Sequence, residues 1–136
     1  MRLQTLTCLS LLMMVAGSAV ADSTNPPATL QFRETKLGKV LATRDQMTLY
    51  VFADDQPGRT MCYKDCLEHW EPYHAEANDQ GFKHFSLLWR ADETLQWAYK
   101  GQPLYTYKGD TRPGEVNGYK VDPKWSPARP LDPKKN

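Results

Sequence analysis

The chain has 136 residues with 17 basic and 16 acidic side chains, and Arg2 is the only charge among residues 1–21, so the remainder carries no net charge. Without a concentrated basic surface it has no purchase on a phosphate backbone, which excludes nucleic acid as a partner. Residues 22–136 suffice for one modest core that buries about two-thirds of the extended-chain surface.

Residues 1–21 open with Arg2, run through the apolar stretch Leu9 to Ala16 and close on Ala19-Val20-Ala21, the pattern of a secretory signal peptide cleaved near Ala21. That stretch is too short to span a bilayer, and no second apolar run of roughly 18 residues follows, so no membrane span is expected. Cys8 lies before the apolar run ends, the wrong place for a lipid-modified cysteine. The expectation is a soluble protein, periplasmic or secreted. Residues 22–29, Asp-Ser-Thr-Asn-Pro-Pro-Ala-Thr, have the composition of a disordered leader, and a single β-rich domain is expected over 30–126.

Within that domain Lys39 to Thr43 and Leu49 to Phe52 are β-prone and flank Arg44-Asp45-Gln46-Met47, which predicts a hairpin. Tyr63 to Trp70 has helical character, with Leu67 and Trp70 three apart on one face, and Pro72 ends it. His74 to Gly81 is polar and reads as an exposed loop. Phe85 to Arg90 and Leu95 to Tyr99 bracket Ala91 to Thr94 as a second hairpin, and after the turn Lys100 to Pro103 a third strand runs from Leu104 to Tyr107. A last short run, Tyr119-Lys120-Val121, precedes a Pro/Lys-rich tail over 127–136, whose prolines cannot form an interior strand.

Two stretches repeat with a period of 55 residues: Leu49-Tyr50-Val51-Phe52-Ala53-Asp54-Asp55 and Leu104-Tyr105-Thr106-Tyr107-Lys108-Gly109-Asp110. Each runs into a Pro-Gly turn, Pro57-Gly58 and Pro113-Gly114, with one residue inserted in the second. Two copies are too few for an array. The predicted fold is therefore mainly β, a single small domain from two related β-hairpin units, about 38–72 and 85–125, with one short helix between them.

These residues resemble the bacterial secreted-repeat family, the predicted lipoproteins with a Y-x-[FWY]-x-x-D motif, over Gly38 to Trp125. Both motif copies fit, as Tyr50, Phe52, Asp55 and Tyr105, Tyr107, Asp110. So do the spacing Cys62-x3-Cys66-x3-Trp70-x-Pro72 and the run Gln96-Trp97-x-Tyr99-x-Gly101-x-Pro103-Leu104-Tyr105. Many members look like lipoproteins, and this chain departs from them in having no lipobox cysteine. The resemblance implies an exported setting and supplies no activity.

Cys62 and Cys66 are the only cysteines after cleavage, and an oxidising compartment makes their pairing the default. An i, i+4 pair lies near the upper end of the separation that a disulfide tolerates, so a distorted helical turn is expected. The alternative is a soft-metal or thiol redox site of Met61, Cys62, Cys66 and His69, with His74 and His84 as further ligands, since thiolate, thioether and imidazole suit copper. The spacing fits neither haem attachment nor a zinc finger. Ser23, Ser86 and Ser126 lie outside any G-x-S-x-G, so no catalytic constellation is recognisable. The aromatic residues allow two readings, a core shared by the repeats or an exposed platform for a sugar, peptide or tetrapyrrole. Asp55 and Asp110 also allow two: capping of backbone N–H groups after a strand, or convergence on a ligand. The function expected is a non-enzymatic binding or structural module of the cell envelope, its partner a small molecule or an envelope protein.

Overall fold

The computed structural model describes residues 27–132. The expected signal peptide, residues 1–21, and residues 22–26 of the expected leader lie outside the described residues. Pro27 to Thr29 are already tied in: the Thr29 carbonyl accepts from the Arg44 N–H at 3.0 Å and from the Tyr73 hydroxyl at 2.7 Å.

Among the described residues nine short strands follow one another: β1 (Leu30–Thr35), β2 (Gly38–Thr43), β3 (Leu49–Phe52), β4 (Trp70–Pro72), β5 (Phe85–Trp89), β6 (Leu95–Tyr99), β7 (Gln102–Pro103), β8 (Tyr105–Tyr107) and β9 (Trp125–Pro127). They form an antiparallel hairpin β1-β2, a four-stranded sheet in the order β4-β8-β3-β9, and a three-stranded sheet β5-β6-β7.

The four-stranded sheet carries an approximate two-fold relation between the repeats. Its centre is the pair Tyr50↔Tyr105, at which β3 and β8 run antiparallel. On one side Trp70 of β4 faces Tyr107 of β8, and on the other Trp125 of β9 faces Phe52 of β3. The bonds beyond the strand ends recur as well: the Lys108 N–H donates to the His69 carbonyl at 2.9 Å and the Ala53 N–H to the Lys124 carbonyl at 2.8 Å. Each repeat thus lends its last strand to the central strand of the other. Both outer strands end in a proline, Pro72 and Pro127, which an edge position tolerates.

Alternation along β3 and β8 sends side chains to opposite faces. Leu49 and Val51 join Leu30, Leu41, Phe85, Trp97 and Leu104 in one core, capped by the two hairpins. Tyr50 and Tyr105 join Trp70, Trp125 and Cys62 in a second core on the other face, closed by the loops after β3 and β8. A buried aromatic of this kind removes about 150–250 Å² from water, on the order of 4–6 kcal/mol of gross driving force at about 25 cal/mol per Å².

The structure corrects several expectations. β2 takes β1 as its hairpin partner in full register, Leu30↔Thr43 to Thr35↔Gly38, and is joined to the chain before β3 by the single bridge Ala42↔Thr48 and the turn bonds of Thr43 with Gln46 and Met47, not by strand pairing with β3. The reason is that β3 has both edges occupied by β8 and β9. The hairpin β5-β6 forms as expected, Phe85↔Tyr99 to Trp89↔Leu95. The turn is tighter than expected: Lys100 and Gly101 take φ of 52° and 77°, and Gln102–Pro103 is already strand. Such a two-residue turn matches the strand twist. The chain then changes sheet at Leu104.

The helix between the repeats is a single 3-10 turn, Lys64–Glu68. Trp70 and Pro72 belong to β4, because pairing with Tyr107 and Tyr105 satisfies backbone groups that a longer helix would have bonded internally. Tyr119 to Val121 is an exposed turn rather than a strand. At the end of the domain β9 includes Pro127 and Ala128 is buried, while Arg129 Nη1 donates to the Leu37 carbonyl at 2.7 Å.

Candidate functional site

The motif residues were the first candidates. Tyr50 and Tyr105 are fully buried, and each hydroxyl reaches the aspartate of the other copy: Tyr50 Oη donates to Asp110 Oδ2 at 2.7 Å, and Tyr105 Oη to Asp55 Oδ2 at 2.7 Å. The second oxygen of each carboxylate accepts a backbone N–H, Met61 to Asp55 Oδ1 at 2.6 Å and Asn117 to Asp110 Oδ1 at 2.8 Å. Met61 and Asn117 are equivalent once the inserted residue is counted. Each aspartate is therefore both a cap and one half of a bond between the repeats.

Burial sets the protonation of these groups. It pushes both phenols well above their usual range, and the hydrogen bond to a neighbouring carboxylate pushes in the same direction. Both carboxyls are raised by burial, against the opposing effect of their backbone and tyrosine donors. A phenol held protonated beside a carboxylate whose oxygens are both engaged is poorly suited to accept a substrate proton. The pairs fasten the fold.

The two copies differ in one detail. The Tyr105 hydroxyl also bonds Thr60 Oγ1 at 2.5 Å, and Thr60 in turn accepts from the Cys62 N–H at 3.1 Å. In the second copy the Gly118 N–H donates to Tyr50 Oη directly, at 3.2 Å. Glycine is required there by contact: a Cβ would lie 2.9 Å from Trp70 Cη2 and from the Tyr50 ring.

The aromatic residues of the motif face are core rather than platform. Trp70 and Trp125, equivalent residues of the repeats, stack with ring centroids 3.7 Å apart and planes at 4°. Phe52 stacks on Trp125 at 4.5 Å, and Tyr107 leans on Trp70 at 4.8 Å. Tyr50 and Tyr105 meet Trp70 and Trp125 edge-on at 5.1 and 5.0 Å. The edge-on contacts suit the ring quadrupoles, whereas the close parallel stack of Trp70 on Trp125 is held by packing and burial.

Cys62 and Cys66 are joined in a disulfide with Cα atoms 5.4 Å apart, and Cys62 is fully buried. The proposed metal donors do not come together as a set. Both sulfurs are bonded to one another, Met61 is 47% exposed, His69 is exposed, and no group of three His, Cys, Asp or Glu side chains stands ready for an ion among the described residues. His74 and His84 lie elsewhere, His74 bridged to Gln96 and the His84 carbonyl accepting from the Lys100 N–H.

Sequence reasoning missed Arg90, whose guanidinium is buried. It donates to the Cys62 carbonyl at 2.7 Å and to Gln96 Oε1 at 2.8 Å, and lies 4.6 Å over the Tyr63 ring. Gln96 Nε2 then donates to the Leu104 carbonyl at 2.8 Å. The chain from Asp55 through Tyr105, Thr60 and Arg90 to Gln96 ties the disulfide loop to the second hairpin. The available signal was Gln96 itself, a polar residue within the apolar run Leu95 to Tyr99.

A family model described as a secreted repeat of unknown function matches twice, over residues 32–73 and 86–129. The chain belongs to that family. In this secreted-repeat protein the matches bound the interlaced halves: the first takes in part of β1 and runs through β4, the second runs from β5 through β9. No curated protein and no solved structure matches the chain. No helix of the described residues is long and apolar enough to cross a membrane.

Proposed function

We propose that this secreted-repeat protein is a non-enzymatic binding module exported to the cell envelope. The observation that carries the reading is the reciprocal use of the motif. The groups with chemical potential, Tyr50 with Asp110 and Tyr105 with Asp55, are spent on one another inside the molecule. What remains for function is the outer surface on a small, cross-linked frame. Such a frame suits holding a ligand or partner in an oxidising compartment.

The test begins with export. Intact mass of the exported protein should correspond to cleavage between Ala21 and Asp22, with no lipid attached. The purified protein is then sedimented with isolated cell-wall and membrane fractions. Saturable retention by one fraction is expected. The reading is wrong if no fraction retains the protein, or if it turns over simple ester, phosphate or glycoside substrates.

A further inference from the structure

Resting on that binding-module reading, we infer that the groove between Thr29, the β2–β3 loop and the loop after β4 is a saccharide-binding site. The groove has a volume of about 540 Å³ and is walled by Thr29, Arg44, Asp45, Glu76, Asp79 and Trp97.

Two orphaned polar atoms point to a ligand. Trp97 is 1% exposed, yet its indole Nε1–H has no hydrogen-bond partner, and Thr29 Oγ1 is buried without one. Buried polar groups are normally satisfied, and both of these exceptions belong to residues that line the same groove, where a polar ligand could supply the partners. The indole can only donate, whereas the threonine hydroxyl donates and accepts. Ligand hydroxyls do both, and meet both needs.

The rest of the wall has the chemistry of sugar recognition. One guanidinium, Arg44, stands among the three carboxylates Asp45, Glu76 and Asp79, a net acidic wall that disfavours an anionic ligand and offers planar partners to ligand hydroxyls. The wall is also held in place. The Glu76 N–H donates to Asp79 Oδ2 at 2.8 Å and the Asp79 N–H to the Glu76 carbonyl at 3.0 Å, fixing that loop as a turn. The Tyr73 hydroxyl and the Arg44 N–H both bond the Thr29 carbonyl, so the threonine is presented by a fixed backbone. A preformed wall lowers the ordering cost of binding.

The experiment follows the indole N–H signals of the nitrogen-15-labelled protein by NMR. Trp97 is assigned by through-bond correlation and checked with Trp97→Phe. Glucose, N-acetylglucosamine, cellobiose and N,N′-diacetylchitobiose are titrated separately into the millimolar range. At least one should move the Trp97 signal saturably, and the double variant Arg44→Ala with Glu76→Ala should bind it about tenfold more weakly or worse. The inference is overturned if none of the four moves that signal, which leaves a water-filled groove, or if the double variant binds as well as the native protein. Adding the retaining envelope fraction separates the two ideas: retention with a stationary Trp97 signal leaves the binding module standing and removes the groove.

Discussion

The Tyr50 hydroxyl donates to Asp110 across the repeat boundary at 2.7 Å, while its own motif partner Asp55 is bound by Tyr105. Because each carboxylate uses one oxygen for a phenol and the other for a backbone N–H, asparagine cannot replace it: the amide NH₂ would face one of the two donors. Asp110→Asn should therefore cost about 1–3 kcal/mol, close to Asp110→Ala. In a double-mutant cycle with Tyr50→Phe the pair should couple, whereas Tyr50→Phe with Asp55→Asn should be closer to additive. Urea denaturation of these variants checks both statements.

The raised carboxyls make stability depend on pH in a defined direction. Asp55 and Asp110 have folded values above their ordinary 3.8, chiefly through burial. The native state then binds more protons than the unfolded chain just above 3.8, so their contribution is full below that value and is lost as pH rises through the folded values. Asp92 and Glu115 are lowered, chiefly by hydrogen bonds from Thr94 and from the Thr111 backbone, and act in the opposite sense. The clean readout is a difference. The stability gap between the native protein and Asp110→Asn should widen in favour of the native protein as pH falls towards 3.8, measured by urea midpoints across the acidic range.

The exchange of β4 and β9 between the repeats implies that neither half folds alone. A fragment ending at Gly81 lacks β8, against which both β3 and β4 are paired. It also lacks Trp125, the stacking partner of Trp70. Each fragment by itself should lack near-ultraviolet tryptophan dichroism. Mixing the two should restore part of it. A single fragment with native-like dichroism would show that the exchange is not needed.

The disulfide closes a very short loop, so its entropic contribution is roughly 2 kcal/mol. Thiol titration of the oxidised protein under denaturing conditions should find no free thiol. Replacing both Cys62 and Cys66 by serine should lower stability by about 2 kcal/mol or somewhat more, because Cys62 is fully buried against Tyr105 and Trp125. Equilibrium denaturation measures it.

The hairpin β5-β6 was legible because a local alternation of apolar residues is closed by a short polar loop. The pairing of β2 was not, since either neighbour in sequence offered a short connection. The repeat held the missing signal: displaced by the 55-residue period, Phe85 to Trp89 falls on Leu30 to Glu34, which is β1. The Tyr–Asp bonds were hidden for a related reason. The motif sets Tyr50 five residues from Asp55, whereas the bonds formed join residues 60 and 50 apart.

The sequence alone determined the β character, the duplication and the family of this chain, because each is written in local composition or in a spacing that repeats. Only the tertiary structure decided which copy each tyrosine would serve, that the aromatic residues of the motif face form a core while Trp89 stays exposed, and which buried polar atoms would be left unpartnered. Those outcomes depend on the antiparallel meeting of β3 and β8 at Tyr50 and Tyr105. That meeting brings together residues far apart in the chain, and no local pattern specifies it.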